Sequence, residues 1–284
     1  MAYWLTQTFN GLTFGMLLFL LAAGLSLIFG LMRIVNLAHG SFYLLGAYLA
    51  LTVSQLTGSF LLAVLGAAAV VACLGIVIER LFLRRVQNQE LPQVLLTFGF
   101  IFVLEDIALW LWGAIPTLLE KPVLFAGSLQ IGGIVVPSYR ILIVVVGLLI
   151  AAALWALQSR TRIGAIIRAS VDDEEMARGL GINTPRMFTW MFALGCFLAA
   201  LGGVMGGALV GMYPGAGFEI LVLALVVVIV GGLGSLRGAF IGSLLVGLLD
   251  NFGKALFPEL SLFTIFAPMA IVLAVKPTGL FGRA

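Results

Sequence analysis

Apolar residues in this chain do not alternate with polar ones at a short period; they fill whole segments. Residues 1–32 carry no charged side chain, and neither do residues 34–78, where His39 is the one side chain that titrates near neutral pH. Runs of that length exceed the ~20 residues that cross a bilayer once. Nine apolar segments predict membrane spans, approximately residues 11–31, 36–56, 59–79, 92–113, 139–158, 187–211, 218–235, 238–251 and 261–275. The eighth is shorter than a full crossing and reads equally as a broken or re-entrant piece, so eight to ten spans stay open. The fold class expected is an all-α integral membrane protein, a polytopic helix bundle formed by a single transmembrane domain over residues 1–284.

Composition agrees with that pattern. Apolar residues make up 62% of the 284 and charged residues 10%, against ~45–50% and ~25% in ordinary soluble domains. A net charge of +3, with no Lys/Arg cluster interleaved with aromatics, excludes a nucleic-acid partner. Cys73 and Cys196 each sit among small or aliphatic neighbours and read as packing residues. Lys and Arg mark cytoplasmic loops. Placing Arg80, Arg84 and Arg85 inside puts twelve of the fifteen basic residues there, with Lys121, Arg140 and Lys254 outside. The N-terminus is then outside and the C-terminus cytoplasmic. The first apolar segment follows no basic region and no small-residue cleavage site, so it is expected to be a retained span. Glycine recurs at spacings of three to five in two segments, at 202, 203, 206, 207 and 211 and at 238, 242 and 247. Small faces of this kind serve close helix packing, or else line a path for a solute.

The most polar stretch is residues 159–186, with five arginines and the consecutive acids Asp172, Asp173, Glu174 and Glu175. Ser170 is expected to cap a helix of about ten residues whose first turn carries those acids. Arg178 stands at i+4 from Glu174, Gly179 or Gly181 supplies the stop, and Thr184-Pro185 starts the next span. Met176, Ala177 and Leu180 form the apolar face. Such a helix is either an interfacial connector or a docking element for a soluble partner.

At this segment a family resemblance becomes legible. The run from Arg168 to Asn183, Arg-Ala-Ser-Val-Asp-Asp-Glu-Glu-Met-Ala-Arg-Gly-Leu-Gly-Ile-Asn, resembles the cytoplasmic loop of LivH-like permease subunits of branched-chain amino acid ABC importers. Ile34-Val35-Asn36-Leu37-Ala38-His39-Gly40, Glu79-Arg80, the Gly-rich element from Gly231 to Ala239 and the tail from Pro277 to Arg283 are similar to further motifs of that family. The resemblance implies a non-enzymatic permease of the bacterial inner membrane. It would import branched-chain amino acids or a related small polar solute, together with two cytoplasmic ATPases, an extracytoplasmic solute-binding protein and a second permease subunit. It favours a heterodimer over a homodimer. Residues 159–186 would be the coupling segment, with Arg168, Asp173, Glu174, Met176, Ala177, Leu180 and Gly181 meeting the ATPase. ATP and Mg would belong to that partner, because no Gly-x-x-x-x-Gly-Lys-[Ser/Thr] loop occurs in this chain. No cofactor is expected here.

Other polar residues in apolar segments are candidates too. Glu105 and Asp106 fall in the fourth, where charge is expensive. Interior hydrogen bonding, lining of the solute path and a proton relay in a stand-alone secondary transporter are the roles open to them. Asn36 and His39, one turn apart at the start of the second span, are expected to brace a helix end. With a single His and no Cys nearby, no metal site is expected. The outward loop 114–138, with Pro116, Pro122, Pro137 and Gly132-Gly133, reads as a surface loop or as a platform for the binding protein.

Overall fold

The computed structural model of the chain describes residues 2–32, 35–87, 89–131 and 134–282. Arg33, Ile34, Gly132, Gly133 and Arg283, which enter the charge count and the motifs above, lie outside the described residues. Each apolar segment is a helix: α1 (Ala2–Met32), α2 (His39–Thr57), α3 (Phe60–Leu81), α4 (Glu90–Trp112), α5 (Ser138–Arg160), α8 (Thr184–Gly207), α9 (Ala216–Gly231), α10 (Leu236–Leu256) and α11 (Ser261–Val275). Two further helices, α6 (Arg162–Asp172) and α7 (Glu174–Gly179), occupy the polar stretch. The loop before α5 holds an antiparallel hairpin of β1 (Ser128–Ile131) and β2 (Ile134–Pro137), with Leu129 opposite Val136.

Among the described residues six helices, α1, α3, α4, α5, α8 and α10, are long and apolar enough to cross a membrane. The eighth segment is therefore not a fragment. α10 runs 21 residues as one helix, because the i,i+4 pair of Asp250 and Lys254, 2.8 Å apart, carries it beyond the polar residues at which the apolar pattern stops. The short apolar helices are instead α9 and α11. α2 has the length of a span but is more polar than that group, which its position explains. It lies between α3, α8 and α9, and its first ten residues are all buried.

α1 is the axis of the bundle, packed against α5, α8, α9 and α10. From Leu17 to Ala23 every side chain is fully buried, whichever way it points, the condition under which a helix is apolar all round. The outer helices α3, α4 and α5 expose Leu65, Val77, Phe98, Phe102 and Leu149, a surface suited to lipid and not to water.

The glycine pattern of α8 is a packing device. A methyl group on Gly203 would overlap the carbonyl oxygen of Tyr43 on α2, so these two backbones touch where a side chain would stand. Substituting Gly203 by leucine is expected to separate α2 from α8. The loss of most of the monodisperse protein on size exclusion in detergent, relative to a Leu65→Ala variant on the exposed face, checks it.

Candidate functional site

The polar stretch is built from two capped helices, where a single one is expected from sequence. Thr161 caps α6, its hydroxyl accepting from Gly164 N at 3.1 Å. Ser170 is not a cap: it is buried within α6, and its hydroxyl has no partner among the described residues. The cap of α7 is Asp173, extended at φ −152°, whose carboxylate accepts from Met176 N at 2.9 Å. Aspartate is better satisfied at an N-cap than inside a helix, so the acid run divides at its second member. Glu174 and Glu175 then occupy the first turn of α7, as the helix dipole favours.

Side-chain bonds tie α7 to the start of α8. Arg178 pairs with Glu174 at 2.5 Å and donates to the Thr184 hydroxyl at 2.8 Å; that hydroxyl donates back to Glu174 at 3.2 Å. Gly181, at φ +85°, makes the left-handed turn that ends the segment, with Ile182 N bonded to the Ala177 carbonyl at 3.1 Å. The cap of α8 is Asn183, not Thr184, its side chain accepting from Arg186 N at 3.1 Å. The expected apolar face divides. Ala177, 2% exposed, faces the body of the protein, whereas Met176 and Leu180, 62% and 74% exposed, project away from it. Arg168 lies on α6, apart from α7, and its guanidinium donates to the Gln158 carbonyl at the end of α5.

A second clasp holds the start of α8. The Glu79 carboxylate, buried at the end of α3, pairs with Arg84 Nε at 3.3 Å and accepts from the Thr189 hydroxyl at 2.8 Å. Arg84 also donates to the Pro185 carbonyl at 3.0 Å and to Thr189 at 2.9 Å. The first turns of α8 are thus fixed to α7 on one side and to α3 on the other. The lone Glu at the end of an apolar segment, with Arg five residues later, is the sequence signal for this clasp.

Two clefts open at opposite ends of α1. One, of about 1020 Å³, lies at the α6 end, between Ser26 and Leu31 of α1, Glu90 and Gln93 of α4, Arg168 and Asp172 of α6, and Arg237 of α10. The other, of about 420 Å³, is lined by Asn10 and Phe14 of α1, Arg140, Tyr213, Glu219 and Lys254, among others. Phe14 and Ser26 are twelve residues apart on α1, about 18 Å at 1.5 Å per residue, and the fully buried belt from Leu17 to Ala23 lies between them. In the smaller cleft the Tyr213 hydroxyl donates to Glu219 at 2.6 Å, and that bond, with burial second, raises the phenol's pKa.

The remaining polar candidates lie away from these clefts. Asn36 precedes α2, and its carboxamide accepts from Ala38 N at 3.1 Å. His39 is the first residue of α2; its Nε2 donates to the Leu21 carbonyl of α1 at 3.1 Å and so ties α2 to α1. Glu105 and Asp106 stand on α4 four and five residues beyond its central residue Ile101, nearer the middle than the end, and line neither cleft. Asp106 faces outward, and Glu105 has one carboxylate oxygen without a partner among the described residues.

The family described as "branched-chain amino acid transport system / permease component" matches residues 7–273. Over 297 residues the chain is 33% identical to the high-affinity branched-chain amino acid transport system permease protein BraD of Pseudomonas aeruginosa, covering 99% of this chain and 96% of that one. Its identity to the permease protein LivH of Escherichia coli K12 is 32%, with the same coverage. To the probable branched-chain amino acid transport permease LivH of Methanocaldococcus jannaschii it is 28%, over 83% of this chain and 76% of the other. No solved structure matches significantly. With α1 through most of α11 inside the matched range, the chain belongs to the family of branched-chain amino acid transport permeases.

Proposed function

We propose that this chain is the membrane subunit of an ABC importer that brings branched-chain amino acids, or a closely related small solute, into the cytoplasm. The energy comes from ATP hydrolysed in separate subunits. The observation that carries this reading is α7: a short helix held to α8 by Glu174, Arg178 and Thr184, with Met176 and Leu180 left projecting. A rigid helix with a free apolar edge fits a groove on a soluble ATPase. Arg168 and Gly181 act less directly, one anchoring α6 to α5 and the other setting the exit angle of α7.

The nine apolar helices cross or enter the bilayer with the N-terminus outside and the α6–α7 end in the cytoplasm. The basic residues Arg84, Arg160, Arg186 and Arg237 at that end support this orientation. A second related permease completes the membrane unit. Loop 114–138, whose Thr117 pairs with Met212 beside the smaller cleft, is the platform for the solute-binding protein. ATP binding closes the ATPases, α7 moves with them, and the clasped start of α8 carries the movement into the bundle. Asn36 and His39 are structural, and Glu105 and Asp106 serve contacts on the outer face of α4.

The test is reconstitution in liposomes. Leucine uptake is expected only with the ATPases, the binding protein and ATP present together. Flux from this chain alone under an imposed proton gradient would instead establish a secondary transporter.

A further inference from the structure

The smaller cleft carries a combination of groups that neither helix packing nor ATPase docking uses. Arg140, half-buried near the start of α5, has one hydrogen-bond partner among the described residues, the neutral carboxamide of Asn10. A guanidinium has five N–H donors in a planar fork suited to a carboxylate, and no protein carboxylate pairs with this one among the described residues. Across the cleft are two acids with partners of their own: Glu219 bonded to Tyr213 and Asp250 paired with Lys254. The cleft therefore holds two cations and two anions, balanced overall but with an open cationic position. Phe14, Ile220 and Leu223 supply an apolar wall. At about 420 Å³ it falls in the range of small-molecule pockets.

We infer that this cleft is a binding site for an aliphatic α-amino acid as a zwitterion, with its carboxylate on Arg140, its ammonium on Glu219 and its side chain against Phe14, Ile220 and Leu223. The inference rests on the proposed importer function, which it deepens by placing a cargo site on this chain itself. Charge balance is the main physical reason. A zwitterion brings one charge of each sign, so it fills the open guanidinium without leaving the cleft with a net charge to be solvated. Position agrees. The cleft is at the end of α1 remote from α7, next to the 208–215 loop, which pairs through Met212 with Thr117 of the outer loop. A solute released by a binding protein seated on that loop arrives at this cleft, above the buried belt of α1.

The experiment uses the permease assembled with its partner subunits in proteoliposomes, and the probe is radiolabelled leucine. Saturable leucine binding is expected without the binding protein. It should be competed at least tenfold more weakly by 4-methylpentanoate, which lacks the ammonium, and by isoamylamine, which lacks the carboxylate. Arg140→Gln and Glu219→Gln, on different helices, are each expected to lower ATP-driven leucine uptake on the order of tenfold or more, since each removes a charged hydrogen-bond partner. Absence of saturable binding to the wild-type assembly, equal competition by both analogues, or uptake within twofold of wild type in both variants overturns the inference. If a variant fails to assemble, the analogue competition on the wild type decides alone. A wild-type assembly that shows no ATP-driven uptake sinks the importer reading itself, an outcome distinct from the others.

Discussion

Replacing Met176 and Leu180 together by aspartate is expected to abolish ATP-driven uptake while the protein still inserts and folds. Both side chains are mostly exposed and lie about a turn apart, Met176 on α7 and Leu180 just past its last residue. The isolated subunit therefore loses little, as exposed substitutions usually shift stability within ~0.5 kcal/mol. On the proposed docking the same positions face the ATPase partner. There each apolar side chain buried is worth about 1.5–3 kcal/mol, and a carboxylate forced into that contact adds a desolvation penalty. The two positions together exceed a 100-fold loss of binding. Copurification of the ATPases with the variant, set against its unchanged elution in detergent, measures this. Gly181→Val should act on the same step through the backbone, because φ +85° is costly for a β-branched residue and the exit of α7 must turn. Normal uptake by both variants would remove α7 from the mechanism.

Removing the Arg84 side chain is expected to give a large loss of stability of a different kind. The Glu79 carboxylate is 2% exposed, and truncating the partner of a buried charge costs about 3–5 kcal/mol. Arg84 is itself 38% exposed, so water can partly replace it and the lower end, about 3 kcal/mol, is the expected value. Thermal unfolding of Arg84→Ala in detergent checks the loss. The double variant Arg84→Ala with Glu79→Gln should recover part of it, because the buried charge is then gone as well. A drop of the same size in Thr189→Val would place the weight of the clasp on its hydroxyl instead of on the ion pair.

Membrane helices were legible because hydrocarbon allows the backbone little else. The third apolar segment, read as residues 59–79, is the helix Phe60–Leu81, and the ninth matches at both ends. The motifs quoted from residues 34–40, 79–80, 168–183 and 231–239 pointed to the family to which the chain belongs. Errors arose where polar residues had more than one way to be satisfied. Ser170 and Asp173 are both good caps by type, and only the buried face of α6 decides between them. Thr184 resembled a cap because proline is next in the chain, but Asn183 holds that place and frees the threonine for Arg178. The eighth segment reads as ending at residue 251, yet the pairing of Lys254 with Asp250 lies within a helix that continues to Leu256. The smaller cleft was beyond reach, since Asn10, Arg140 and Lys254 are more than a hundred residues apart in sequence and only the packing of α1, α5 and α10 gathers them. Its residues appeared in the sequence merely as scattered outward charges.

The belt of α1 from Leu17 to Ala23 has a consequence for the cell. A bare ion meeting that layer finds mostly hydrocarbon, and the one imidazole there, that of His39, is already bonded to the Leu21 carbonyl, so little is left to replace its hydration shell. Within this subunit, an idle copy is an insulator. The cell can keep many such copies waiting for nutrient without short-circuiting the voltage on which its other membrane machines run.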